Sequence, residues 1–130
     1  MSMVFNRATF FGAGVGLALL LGVHGVEDVS VAGFAAVLAG IAMLYPGALL
    51  SGTSDARVIM SELGVAGLTC LCVVLGLLYS PLWLAVGCAG HALWDWAHHF
   101  DFGARVSSWY PPFCAAADGV IALGIVWIFI

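Results

Sequence analysis

Hydrophobic positions in this chain neither alternate nor mark a single helix face; they run on for about twenty residues at a time. Five such stretches can be cut, at about 8–26, 29–50, 57–79, 81–99 and 112–130. A helix rises about 1.5 Å per residue, so a run of about 20 apolar residues crosses the hydrocarbon of a bilayer. The breaks are polar or helix-stopping: Glu27-Asp28, the turn from Ser51 to Asp55, Ser80-Pro81, and the segment from Phe100 to Pro112. Pro81 and Pro112 fit the first turn of a helix, where a missing N–H costs nothing. Pro46 lies inside the second stretch and predicts a kink near its end. The pattern predicts an all-α, polytopic transmembrane helix bundle, one domain over residues 1–130, with five helices. Four crossings, with the first stretch lying in the interface, is the alternative.

Charge placement favours five. With the N-terminus in the cytoplasm, Arg7, Arg57 and Arg105 fall on one side and Glu27-Asp28 on the other, as the positive-inside rule asks of an inner-membrane protein. Trp109 and Tyr110 read as an interfacial aromatic anchor at the cytoplasmic end. Gly12-x-x-x-Gly16, Ala36-x-x-x-Gly40 and Ala115-x-x-x-Gly119 are small-residue spacings that let helices approach closely in lipid. Arg7 ahead of an apolar run resembles a signal peptide, but the run ends without an Ala-x-Ala site, and a retained first helix is expected.

Composition removes other classes. The chain is 64% hydrophobic and 8% charged, too few polar residues to cover a soluble globule and too apolar for disorder. Three Lys+Arg against seven Asp+Glu, with no lysine, leave no patch for nucleic acid. Cys70, Cys72, Cys88 and Cys114 lie in or beside apolar runs and match neither a zinc ribbon nor a disulfide framework.

Ionisable groups inside crossing helices are the anomaly, since each costs about 2.5–3.5 kcal/mol on insertion scales. Glu62 lies in the third stretch, His91 and Asp95 in the fourth with His98 and His99 at its end, and Asp118 in the fifth. Glu62 and Asp118 would sit roughly 7–10 Å below the cytoplasmic face, level with Asp95. His91-x-x-x-Asp95-x-x-His98 is an i, i+4, i+7 stripe, and together with His99 its members occupy an arc of roughly 100°. Imidazole nitrogen and carboxylate oxygen are the ligands of zinc, iron or manganese, and bundle-core metal sites draw them from several helices. The expected metal set is His91, Asp95, His98, Glu62 and Asp118, with His99 and Cys114 as further candidates.

Plainer readings exist for each residue. His98 and His99 fit an interface with water and headgroups, His91 and Asp95 fit a packing pair, and Glu62 and Asp118 gain from a helix N-terminus. Agreement in depth is what favours a shared site. A b-type haem is not expected, because His24 and the fourth-stretch histidines lie toward opposite faces. Four histidines are too few for the histidine boxes of membrane desaturases, and phosphate-loop, Gly-x-Ser-x-Gly and His-Glu-x-x-His motifs are missing.

The segment Gly90-His91-Ala92-Leu93-Trp94-Asp95-Trp96-Ala97-His98-His99, followed by Trp109-Tyr110-Pro111-Pro112-Phe113-Cys114 and Asp118, resembles a family of small, functionally uncharacterised bacterial integral membrane proteins, a domain of unknown function. The resemblance covers the C-terminal half and implies importance for His91, Trp94, Asp95, His98, His99, Trp109, Pro111, Cys114, Asp118 and Glu62. It implies no reaction. The reading that follows is an inner-membrane protein with a transition-metal site near the cytoplasmic face, acting on a lipid-soluble small molecule. Alternatives are a proton or metal-ion conduit, or a non-catalytic subunit of a homo-oligomer or membrane complex. Beyond the bilayer, the sequence leaves partners, substrate and metal identity open.

Overall fold

The computed structural model describes residues 6–25, 30–50, 52 and 55–130. The acidic pair Glu27-Asp28 and Ser51, Thr53 and Ser54 of the polar turn lie outside the described residues. Every regular element among those described is helical: α1 Arg7–His24, α2 Ser30–Ala42, α3 Leu44–Leu49, α4 Ala56–Leu78, α5 Leu82–His99 and α6 Tyr110–Phe129. The helices start where the local chemistry allows. Asn6 caps α1, its Oδ1 accepting the Thr9 N–H at 2.9 Å, and Asp55 caps α4 by accepting the Arg57 N–H at 2.9 Å. Pro81 precedes α5, and Pro111 and Pro112 occupy the first turn of α6.

The kink expected from Pro46 is a break. Pro46 has no N–H to offer the Ala42 carbonyl, and its ring crowds that same turn. The helix stops at Ala42, Met43 bonds back to Gly40 at 3.1 Å, and α3 restarts with Gly47 donating to Met43 at 2.9 Å. α2 and α3 together form one rod, so the six helices make five rods. Four of these, Arg7–His24, Ser30–Leu49, Ala56–Leu78 and Tyr110–Phe129, are long and apolar enough to cross a membrane. α5 has 18 residues and carries the His/Asp stripe.

Contacts fix the directions. Gly12 of α1 meets Phe113 of α6, Gly16 meets Ala117 and Leu20 meets Gly124, so α1 and α6 run parallel. A Cβ on Gly16 would lie 2.6 Å from the Ala117 carbonyl oxygen, so the Gly12/Gly16 spacing is used for close helix approach. Nothing comparable packs against Gly40 or Gly119. α4 and α5 are antiparallel, Gly76 lying against Leu84 and Glu62 against His98. α5 and α2 are parallel, with Leu38 over Gly87 and Tyr45 beside Asp95. The starts of α1, α4 and α6 therefore share one end with the finishes of α3 and α5, and Arg7, Arg57 and Arg105 all belong to that end.

The interior divides along its length. Away from the arginine end, Phe34, Leu38, Leu84, Ile121 and Ile125 form a wholly apolar core. Toward the arginine end the buried side chains include Tyr45, Glu62, His91, Asp95, His98 and Asp118. The outside is apolar as well, with Leu21, Met60, Leu68, Leu93 and Trp127 largely exposed, an arrangement suited to lipid.

Candidate functional site

α5 carries the site because its periodicity puts His91, Asp95 and His98 on one inward face; all three are buried, and Asp95 is 0% exposed. Neighbouring helices supply the rest. The His91 Nδ1 lies 2.9 Å from Asp118 Oδ2 on α6 and 3.8 Å from Asp95 Oδ2 one turn along α5. Tyr45, at the start of α3, donates its hydroxyl to Asp95 Oδ1 at 2.7 Å. Asp95 Oδ2 is buried and has no hydrogen-bond partner. One ligand atom each from His91, Asp95 and Asp118 lies within 4.8 Å of the others, and this group could hold a metal ion. To ligate through Nδ1, His91 would give up the proton it shares with Asp118, and a cation would take the place of that proton between the two side chains.

Glu62 and His98 stand apart from that group and complete one another. Glu62 Oε1 lies 2.8 Å from His98 Nε2 and accepts the Ala104 backbone N–H at 2.6 Å, while Oε2 accepts the Trp94 indole N–H at 2.9 Å. His98 Nδ1 lies 3.0 Å from the Trp94 carbonyl oxygen, which can only accept. Nδ1 is therefore the protonated nitrogen, and the contact between Nε2 and Oε1 must hold one further proton, on either atom. Both oxygens of Glu62 thus have hydrogen-bond partners.

The Tyr45 ring joins the two halves. It stacks on His98 at 3.7 Å between centroids with an interplanar angle of 12°, and on His91 at 5.7 Å and 26°. Above His98 the α5–α6 loop folds inward: Asp101 and Gly103 both have positive φ, 62° and 83°, and this turn delivers the Ala104 N–H to Glu62. A Cβ on Gly103 would collide with Glu62 Oε1 and His98 Nε2. His98 lines a cavity of about 750 Å³ that opens at the arginine end, bordered by Asp101 and Arg105.

The seven residues singled out from the sequence thus fall into four places. His91, Asp95 and Asp118 come together; Glu62 and His98 form a neighbouring pair. His99 is half-buried and packs on the Phe100 ring at 5.4 Å, and Cys114 is buried beside Tyr110, with which it shares a hydrogen bond. Sequence reasoning missed Tyr45 as a partner of the site. The signal was present: a hydroxyl in an apolar helix needs an acceptor, and five residues before the end of the second stretch puts it level with Asp95. No family model, curated protein or solved structure matches this chain. Fold and site together define a helical bundle with membrane-length apolar rods enclosing a His/Asp group able to take a cation.

Proposed function

We propose that this protein binds one transition-metal ion within the bilayer through His91, Asp95 and Asp118, and uses it on a lipid-soluble substrate that approaches from the arginine end. The unpartnered Asp95 Oδ2 carries this reading. A buried carboxylate oxygen without a donor is costly, and a cation shared with His91 and Asp118 supplies the missing partner. One nitrogen and two carboxylate oxygens suit zinc, iron or manganese. Such an ion supplies Lewis acidity or a water of lowered pKa when bound. Tyr45 fixes the Asp95 carboxylate by occupying Oδ1, leaving Oδ2 turned to the shared point, and Glu62 holds His98 at the cavity wall. The apolar core beyond the site, from Phe34 to Ile125, offers no polar steps toward the opposite end, which favours a one-sided site over a proton or ion conduit.

The location that goes with this reading is a bacterial cytoplasmic membrane with the N-terminus and the cavity facing the cytoplasm. Elemental analysis of the chain, purified without chelators and reloaded, tests the metal reading. About one ion per chain is expected in the native protein and none in Asp95→Asn or Asp118→Asn. Native protein that remains metal-free after reloading overturns it.

A further inference from the structure

Two cavities at the arginine end adjoin one another, and they differ in chemistry. The larger, about 750 Å³, is bordered by His98, Asp55, Asp101 and Arg105. The smaller, about 350 Å³, runs past Leu44, Trp109 and Tyr110. Ala48, Arg105 and Val106 line both. The larger has the size of a ligand pocket. It is a polar chamber carrying a guanidinium on one part of its wall and carboxylates on another. The smaller is an aromatic and aliphatic groove leading from it along α3 and the start of α6.

Arg105 stands where the two meet. No carboxylate lies within ion-pair distance of it among the described residues, so its charge is available to a ligand. Asp55 serves as the α4 cap, and Asp101 is exposed at the chamber rim. The loop that presents Asp101 and Arg105 is tied down by Ala104 on Glu62, so the chamber is held open by the same hydrogen bonds that seat His98.

We propose that the chamber and groove together bind a single-chain zwitterionic amphiphile. Its oxyanion pairs with Arg105, its ammonium with Asp101, and its acyl chain lies along Leu44 and Trp109. A purely anionic head would meet the Asp101 carboxylate, and a neutral head would leave Arg105 unpaired. A zwitterion satisfies both signs of charge. The placement brings the head of the molecule against His98, on which the Tyr45 ring stacks. The inference rests on the reading of this chain as a membrane bundle and names the substrate class for the proposed site; it does not depend on metal being bound.

The test uses the full chain in a neutral maltoside detergent, with retained ligand counted by native mass spectrometry. The probes are lysophosphatidylethanolamine, lysophosphatidylglycerol and chain-free glycerophosphoethanolamine. The native protein is expected to retain the first in preference to the second and not to retain the third. Arg105→Gln removes the oxyanion partner, and Ala48→Phe fills the wall common to both cavities. Each should weaken retention about tenfold or more, the size of a lost charged hydrogen bond. Metal content of Arg105→Gln should match the native protein. Retention unaffected by either substitution, equal retention of the chain-free head, or preference for the anionic lipid overturns the proposal, as does loss of metal with Arg105→Gln. A metal-free native protein that still shows the zwitterion preference overturns the metal reading alone.

Discussion

Glu62 and Asp95 are both carboxylates buried in one bundle, yet hydrogen bonding treats them in opposite ways. Glu62 accepts from an indole and a backbone N–H and shares a proton with His98, so each of its oxygens has a partner. Asp95 has one partner, the Tyr45 hydroxyl, and its second oxygen has none. Both stand on the inward faces of long helices, so burial alone does not separate them. Number of donors does. A satisfied buried carboxylate is a structural tie, here between α4, α5 and the α5–α6 loop. An unsatisfied one beside a histidine and a second carboxylate could hold a cation.

The largest expected effect is on the satisfied side. Glu62→Gln keeps the shape but offers one acceptor oxygen where two were used, and turns an NH2 group toward a donor. We expect a loss of about 2–3 kcal/mol, near the top of what single polar changes in membrane bundles give, read as thermal or denaturant stability in detergent. Gly103→Ala attacks the same tie from the loop. At φ 83° a side chain is strained, and its Cβ meets Glu62 and His98. A cost of about 1–2 kcal/mol is expected, with no change in metal bound. Wild-type stability in either variant would mean that the loop is not held through Glu62.

Coupling between residues draws the boundary more finely. Asp95 and Asp118 face one point, so with metal present Asp95→Asn and Asp118→Asn should be strongly non-additive, the second loss adding little once the ion is gone. Glu62→Gln and Asp118→Asn belong to different hydrogen-bonded groups and should add within about 0.5 kcal/mol. A large coupling in the second cycle would merge the two groups into one site transmitted through the Tyr45 ring. Tyr45→Phe removes the donor to Asp95 Oδ1 and should lower metal affinity by about 10–100-fold, the usual cost of losing a group that orients a ligand, while costing about 1 kcal/mol in stability.

The all-helical architecture was legible because hydropathy alone delimits the rods, and the observed ends lie within a few residues of the breaks read from Pro81, Pro112 and the polar turns. The α5 stripe was legible for the same reason any helical face is: His91, Asp95 and His98 repeat at helical spacing. Depth brought Glu62 and Asp118 to the same level. Azimuth between helices is another matter, since it depends on how α4 and α6 rotate against α5, and nothing in the spacing of Glu62 or Asp118 specifies that. The division into a His91/Asp95/Asp118 group and a Glu62/His98 pair was therefore not readable. Neither was the contribution of Ala104, whose backbone N–H has no side-chain signature; Tyr45 did carry a signal, a hydroxyl in an apolar run at the depth of Asp95, but beside Pro46 it read as one more packing residue.

The smallest expected effect discriminates best. Asp95→Asn in the metal-free protein replaces the unpartnered oxygen by an amide nitrogen and removes a buried carboxylate, while its remaining oxygen still accepts the Tyr45 hydroxyl. Burying a carboxylate oxygen without a hydrogen bond is unfavourable, so taking it away offsets whatever packing the substitution disturbs. Stability of the metal-free variant should fall by less than about 0.5 kcal/mol or rise. Metal should stabilise the native protein and leave Asp95→Asn where it was, since an ion that binds only the folded native chain shifts its unfolding by mass action. The comparison to make is thermal unfolding of both proteins with and without saturating metal. A large loss in the metal-free variant would show that Asp95 Oδ2 is engaged in the fold after all, and the contrast with Glu62 would then vanish.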